Sequence, residues 1–156
     1  MAIVVEDGTI VSGANSYVTE AELTTFATER GITITGTNSE LIYQSMDYIE
    51  QQNFIGVKST QAQPLQWPRY DAYVDSYLIA SNTIPQDLKN AQMQTALSID
   101  EGNGPLDVVE QKVKREKVDV LETEYSDNSS QTYDPKISNY LKKLTKGGGA
   151  FRAVKA

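Results

Sequence analysis

Residues 16–31, SYVTEAELTTFATERG, read as a complete helix with both of its ends marked. Thr19 is placed as the N-cap, and Glu22 three residues later can reach back to it, so the two form a capping box that satisfies amides left unpaired at a helix start. Val18 and Leu23 stand where a hydrophobic staple would clasp the first turn, and Gly31 is placed as the stop. Leu23, Phe26 and Ala27 recur at helical spacing and predict the buried stripe. This reading bears on the fold class, because three further stretches of the chain repeat it.

Downstream, NSELIYQSMDYIEQQNF predicts a second helix from near Ser39, with Leu41, Ile42, Met46 and Ile49 inward. Between Phe54 and Ile84 the pattern loosens: QAQPLQWPRYDAYVDSY carries two prolines around the only tryptophan, which predicts an extended, packed loop. IPQDLKNAQMQTALSIDEG predicts a third helix with Pro85 in the first turn, Leu88, Ala91, Thr95, Ala96 and Ile99 on one face, and Gly102 and Gly104 ending it. KVKREKVDVLETEYSD alternates in two short registers and predicts a hairpin or bulged strand pair, followed by the polar loop SDNSSQT. In DPKISNYLKKLTKGGG, Asp134 is the expected N-cap, Pro135 the first helical residue, Gly147 the stop, and Ile137, Tyr140, Leu141 and Leu144 the inner face. The predicted class is therefore mainly α: a small bundle of three core helices plus a C-terminal helix, with a β-hairpin-like excursion and an extended tail. Residues 1–146 are expected to form the domain and 147–156 a glycine-rich hinge and tail. No internal repeat is visible at a period of 20 to 50 residues.

At 156 residues the chain suits one hydrophobic core. No stretch reaches the roughly 20 apolar residues of a membrane helix, so no membrane partner is expected. The opening MAIVVEDGT has neither a basic region nor a cleavage pattern, and no signal peptide is expected; the chain is expected to work in a cytoplasm or in something assembled there. The net charge of −7 is unevenly spread. Residues 136–156 hold six Lys or Arg and no acid, leaving eight basic against 21 acidic side chains in residues 1–135. An acidic body of about −13 repels phosphate, so extended nucleic-acid binding would fall to the tail or a local patch.

Neither histidine nor cysteine is present, which removes thiolate nucleophiles, Ser-His and Cys-His arrangements, zinc knuckles and the commonest general base. GNGP lacks the third glycine of a dinucleotide fingerprint, and KGGG has its lysine on the wrong side of the glycines for a phosphate loop. The acid pairs Glu6/Asp7 and Asp100/Glu101 lie at a terminus and a helix end, where solvation is the expected explanation. Asp127 to Asp134 lacks the spaced acids, central glycine and closing Glu of a calcium loop. No catalytic residue, metal site or cofactor is expected, and the chain is read as a non-enzyme.

Two groups remain as binding candidates. Trp67 and Arg69, with Tyr70, Tyr73 and Tyr77 nearby, could form a stacking surface for single-stranded nucleic acid or a subunit contact. Alternatively Trp67 anchors the loop, with Arg69 packed over an aromatic face. Lys112, Lys114, Arg115 and Lys117 could contact phosphate, or could be the lysine-edged face of a hairpin protected against aggregation.

The collinear order VEDGT…GANSYVT, QPLQWPR, IPQDLKNA, VKREKV…LETEY and a closing glycine run with a short basic tail resembles a family of small tailed-phage head–tail connector, or head-completion, proteins. They are often labelled DnaT-like single-stranded-DNA-binding domains. The resemblance covers nearly the whole chain. It implies a helical adaptor that forms a homo-oligomeric ring, dodecameric, beneath the portal protein in the virion neck, assembled in the host cytoplasm. It further implies a tail-side stopper or tail-completion protein as neighbour and genomic dsDNA passing without sequence-specific binding. In such connectors the C-terminal segment pairs with the portal. Here that role would fall to Gly147, Gly148 and Gly149 as hinge, Phe151 and Val154 as anchors, and Arg152 and Lys155 as charges. The label implies the alternative function, a single-stranded-DNA-binding module in phage replication or recombination. That reading would use Trp67, Arg69 and the basic cluster.

Overall fold

The computed structural model describes residues 2–106 and 134–147. Among these residues four helices, α1 (Glu20–Glu29), α2 (Asn38–Ile49), α3 (Gln86–Asp100) and α4 (Pro135–Leu141), carry the fold. Between α2 and α3 lie four two-residue strands, β1 (Val57–Lys58), β2 (Arg69–Tyr70), β3 (Tyr73–Val74) and β4 (Tyr77–Leu78). They pair antiparallel as β1 with β2 and β3 with β4.

Both ends of α1 form as the sequence predicts. Thr19 Oγ1 accepts from the Glu22 amide at 3.1 Å while a Glu22 carboxylate oxygen accepts from the Thr19 amide at 2.7 Å. At the other end Gly31, at φ +67, allows the Ile32 amide to reach the Ala27 carbonyl and its own amide to reach Thr28, a Schellman closure. The end of α3 closes the same way, the Asn103 amide donating to Ser98 and the Gly102 amide to Ile99.

The core divides into two clusters around α3. One holds Val18, Leu23, Phe26, Leu41, Ile42 and Leu97 between α1, α2 and α3. The other holds Tyr17, Ile49, Phe54, Trp67, Leu88, Ile137 and Leu144, and joins α2, α3 and α4 to the strand region. Because α3 is surrounded by the other elements, all eight residues from Ala91 to Ser98 are buried. The one-sided stripe expected there is thus corrected: Thr95 is inside as expected, but Gln92 and Gln94 are inside too, each hydrogen-bonded, and Ile99 is only half-buried. Pro85 serves as the N-cap of α3 rather than as a residue of its first turn.

Two other expectations change. The stretch from Phe54 to Ile84 contains strands, not only a packed loop. Helix α4 ends at Leu141, and Gly147 does not stop it. The chain instead turns so that Thr145 bridges antiparallel to Phe54, the Ile55 amide donates to the Leu144 carbonyl at 2.9 Å, and the Lys146 amide donates to Asn53 at 2.8 Å. Leu144 stays buried, as its spacing predicted, but from a turn. The excursion predicted within residues 112–127 and the tail beyond Gly147 lie outside the described residues.

Candidate interaction surface

The strand region is built on a buried polar node. Tyr17, fully buried, donates its hydroxyl to a Glu50 carboxylate oxygen at 2.6 Å and accepts from the Trp67 amide at 3.1 Å. The second Glu50 oxygen accepts from the Gln66 amide at 2.9 Å. Burial pushes the Tyr17 hydroxyl well above its ordinary value, and the Glu50 charge adds to the shift. Burial likewise raises Glu50, against the lowering effect of the bonds from Tyr17 and Gln66. Beneath it, the Tyr17 amide donates to Gln92 at 3.0 Å, and Gln92 donates to Ser16 Oγ at 2.9 Å, tying the segment before α1 to the middle of α3.

Trp67 is 0% exposed and meets Phe54 edge to face, with ring centroids 6.0 Å apart; the peptide bond to Pro68 is cis. Arg69 is buried as well. Its guanidinium donates to the carbonyls of Ile55 at 2.6 Å, Gly56 at 3.0 Å and Gln66 at 3.2 Å. Buried Gln63 donates to Leu65 and Pro68 carbonyls at 2.9 and 3.0 Å and accepts from the Thr60 amide, closing the loop on itself. Of the two readings of this motif, the anchor describes Trp67. A base cannot stack on a ring that has no exposed face. Arg69 packs over no aromatic ring and instead gathers backbone carbonyls; the cation–π contact in the described residues is Arg30 over Phe26, at 3.4 Å from the ring centroid. Gly56 lets the two strands come this close, since a Cβ there would stand 2.5 Å from the Tyr70 carbonyl oxygen.

What the motif exposes is its outer rim. Tyr70 is 43% exposed, Tyr73 56%, Tyr77 80%, Leu78 58% and Val57 50%, and these are five of the six large apolar side chains exposed among the described residues. The β3–β4 turn uses Asp75 and Ser76 at φ +50 and +70, the left-handed pair of a two-residue hairpin loop. Lys143 holds this turn through a 2.8 Å ion pair to Asp75. Asp71 stands exposed between the two sheets.

The family model described as "Putative DnaT-like ssDNA binding protein" matches residues 1–156. The chain belongs to that family. No curated protein and no solved structure gives a match. In this DnaT-like chain the candidate binding residues fall into three sets. Trp67 and Arg69 are internal, Tyr70 is on the surface, and Lys112, Lys114, Arg115 and Lys117 lie outside the described residues, as do Gly148, Gly149, Phe151, Arg152, Val154 and Lys155. Gly147 is described and exposed.

Of the acid pairs, Asp7 and Glu101 are exposed as expected, whereas Glu6 and Asp100 are engaged by the fold. Glu6 is not solvated: it is fully buried and accepts from the amides of Gly8, Ile10 and Val11 at 2.8 to 2.9 Å. Asp7 is exposed, its carboxyl held below the ordinary value by Thr9. Asp100 ties the end of α3 to the α1–α2 loop, accepting from the Thr35 and Gly36 amides at 2.9 and 2.7 Å, and the Thr35 amide is the main cause of its lowered pKa. These carboxylates have structural partners. No group of three or more metal-ligating side chains occurs among the described residues, and no helix there is long and apolar enough to cross a membrane.

Proposed function

We propose that this chain is a structural subunit of a tailed-phage head–tail connector, a ring protein without catalytic activity. It would sit under the portal protein in the virion neck and meet a tail-side stopper or tail-completion protein below. Genomic dsDNA would pass through the ring without sequence-specific binding. The observation that carries the reading is the exposed tyrosine rim of the strand region, where Tyr70, Tyr73, Tyr77 and Leu78 lie together with Asp71 and Asp75. Aromatic surface of that kind suits a protein contact, because tyrosines give large, rigid contact area. The acidic balance of the chain supports a conduit on which DNA slides. The collinear motif order that resembles connectors agrees with it. The C-terminal segment, with Phe151, Arg152, Val154 and Lys155, is the proposed portal-docking element, hinged at Gly147–Gly149.

A second reading is single-stranded-DNA binding in phage replication or recombination. The family description speaks for it more directly than for the connector. In that case Tyr70, Tyr73 and Tyr77 would be the stacking rings and the basic residues 112–117 the phosphate contacts.

Cosedimentation with the phage's own portal ring, using the full chain and a chain stopped at Lys146, tests the first reading. The full chain is expected to travel with the portal and the shortened one to stay behind. Binding of neither contradicts the connector assignment. Oligothymidylate titrated at 50 and 200 mM salt tests the second. A module contacting several phosphates loses affinity steeply between those salts.

A further inference from the structure

We infer that Asn103 is a self-modifying site: its carboxamide is converted without an enzyme, through a cyclic imide formed with the next main-chain amide, into aspartate and isoaspartate. That chemistry needs an exposed carboxamide, a following amide nitrogen that is not engaged elsewhere, and no side chain crowding the attack. Asn103-Gly104 is the only Asn-Gly pair in the sequence, and glycine leaves the attack uncrowded. Helix α3 ends just before it. Gly102, at φ +76, turns the chain, and the Asn103 amide closes the helix by donating to Ser98 at 2.8 Å. That bond holds the main chain of Asn103 and leaves its side chain exposed. Neither the carboxamide nor the Gly104 amide has a hydrogen bond among the described residues. Gly104 is buried, but the carbon to be attacked belongs to the exposed side chain.

The fold closes the competing sites. The Asn15 carboxamide accepts from the Val4 amide at 2.8 Å and donates to the Ala2 carbonyl at 3.1 Å. Asn38 donates to Thr24 Oγ1, Asn90 accepts from Gln86, and the amide after Asn82 is bonded to Ala80. Asn139 lies within α4, and Asn53 is followed by the bulky Phe54. Asp7-Gly8, the one Asp-Gly pair, is open to the analogous reaction in sequence and locked in structure. Its glycine amide donates to buried Glu6 at 2.9 Å, and the Asp7 carboxylate accepts from the Thr9 amide and hydroxyl. A Cβ at Gly8 would stand 2.0 Å from the Asn82 carbonyl oxygen, so this turn has no room to rearrange.

In the reaction the Gly104 nitrogen, having given its proton to solvent base, bonds to the Asn103 side-chain carbonyl carbon. The bond from that carbon to Nδ2 breaks, and the nitrogen leaves as ammonia after taking a proton from water. Water then opens the imide ring. Attack at the side-chain carbonyl gives aspartate; attack at the main-chain carbonyl gives isoaspartate, in which the chain runs through the side chain. Nothing is oxidised or reduced. Either product places a new negative charge beside Asp100 and Glu101 at the C-terminal end of α3, where the helix dipole already opposes anions.

Peptide mapping by mass spectrometry of the full chain, held at pH 8 and 37 °C with and without denaturing urea, tests this independently of the proposed function. In the folded chain Asn103 is expected to convert on the order of tenfold faster than any other asparagine of residues 2–106 and 134–147, a barrier difference of about 1.4 kcal/mol. Both aspartate and isoaspartate should appear at Asn103, at a rate close to that in urea, whereas Asp7 should isomerise in urea alone. Gly104→Ala should slow the conversion on the order of tenfold, and the comparison with urea carries the test if that variant does not fold. An Asn103 that reacts only in urea, that is outpaced by another of these asparagines, or that yields aspartate without isoaspartate would overturn the inference. Isomerisation of Asp7 at equal rates in the folded chain and in urea would overturn the fold's role in selecting the site.

Discussion

Tyr17 links the segment before α1, the end of α2 and the tryptophan loop through one hydroxyl, and its partner Glu50 makes the junction sensitive to pH. Burial raises the Glu50 pKa in the folded chain above the ordinary 4.5. A raised carboxyl favours folding at low pH, and that contribution is lost as pH rises through the folded value. Glu50→Gln, which keeps one acceptor and carries no charge, should therefore gain stability relative to the natural chain as pH rises from about 4 to 7; denaturant unfolding of both at several pH values reads this directly. A gap between them that does not change with pH would mean that Glu50 is not penalised by burial. Trp67→Ala should cost about 3–5 kcal/mol, a large part of the stability of a small domain, because it empties a fully buried site beside Phe54. Tyr73→Ser and Tyr77→Ser, exposed by more than half, should each shift stability by less than about 0.5 kcal/mol. The sequence placed an aromatic cluster here but could not sort it into inner and outer members. The sorting depends on the Arg69 carbonyl clamp and the Tyr17 bond to the Trp67 amide, which hold the loop from inside and have no sequence period.

At the scale of elements, α1 was legible because its signals are local: a cap, a reciprocal glutamate, a staple and a glycine stop lie within 16 residues. Thr19→Ala should cost about 1 kcal/mol, seen as a lower thermal midpoint, because it leaves an amide of the first turn unpaired. Helix α3 was legible in position and not in burial. Its polar residues look like a solvated face until Gln92 is seen bonded to Ser16 and Tyr17, and Gln94 to Asp134, the cap of α4. The strands were missed because each has two residues, too short for an alternating pattern, and because Asp75-Ser76 lacks the glycine that usually announces such a turn. The end of α4 was misplaced for a related reason. Leu144 keeps helical spacing from Ile137 and Leu141, yet the pairing of residues 144–146 with 53–55 draws the chain out of the helix.

For the whole molecule, the helical body presents most of the large exposed apolar side chains among the described residues on one strand region, whose loop is pinned from beneath by Tyr17, Glu50 and Arg69. Such pinning keeps the rim in a fixed shape before any partner arrives, which reduces the ordering cost of binding. The function of that rim was only partly legible, since its most visible residues in sequence, Trp67 and Arg69, turn out to hold it from inside. Amide hydrogen exchange of the full chain, alone and mixed with the phage's portal ring, tests the account most directly. Slowed exchange across residues 69–79 on the portal ring, with no slowing by oligothymidylate, is the predicted result. Unchanged exchange with the portal, together with protection of the same residues by oligothymidylate at low salt, would contradict the connector account and assign the rim to single-stranded DNA.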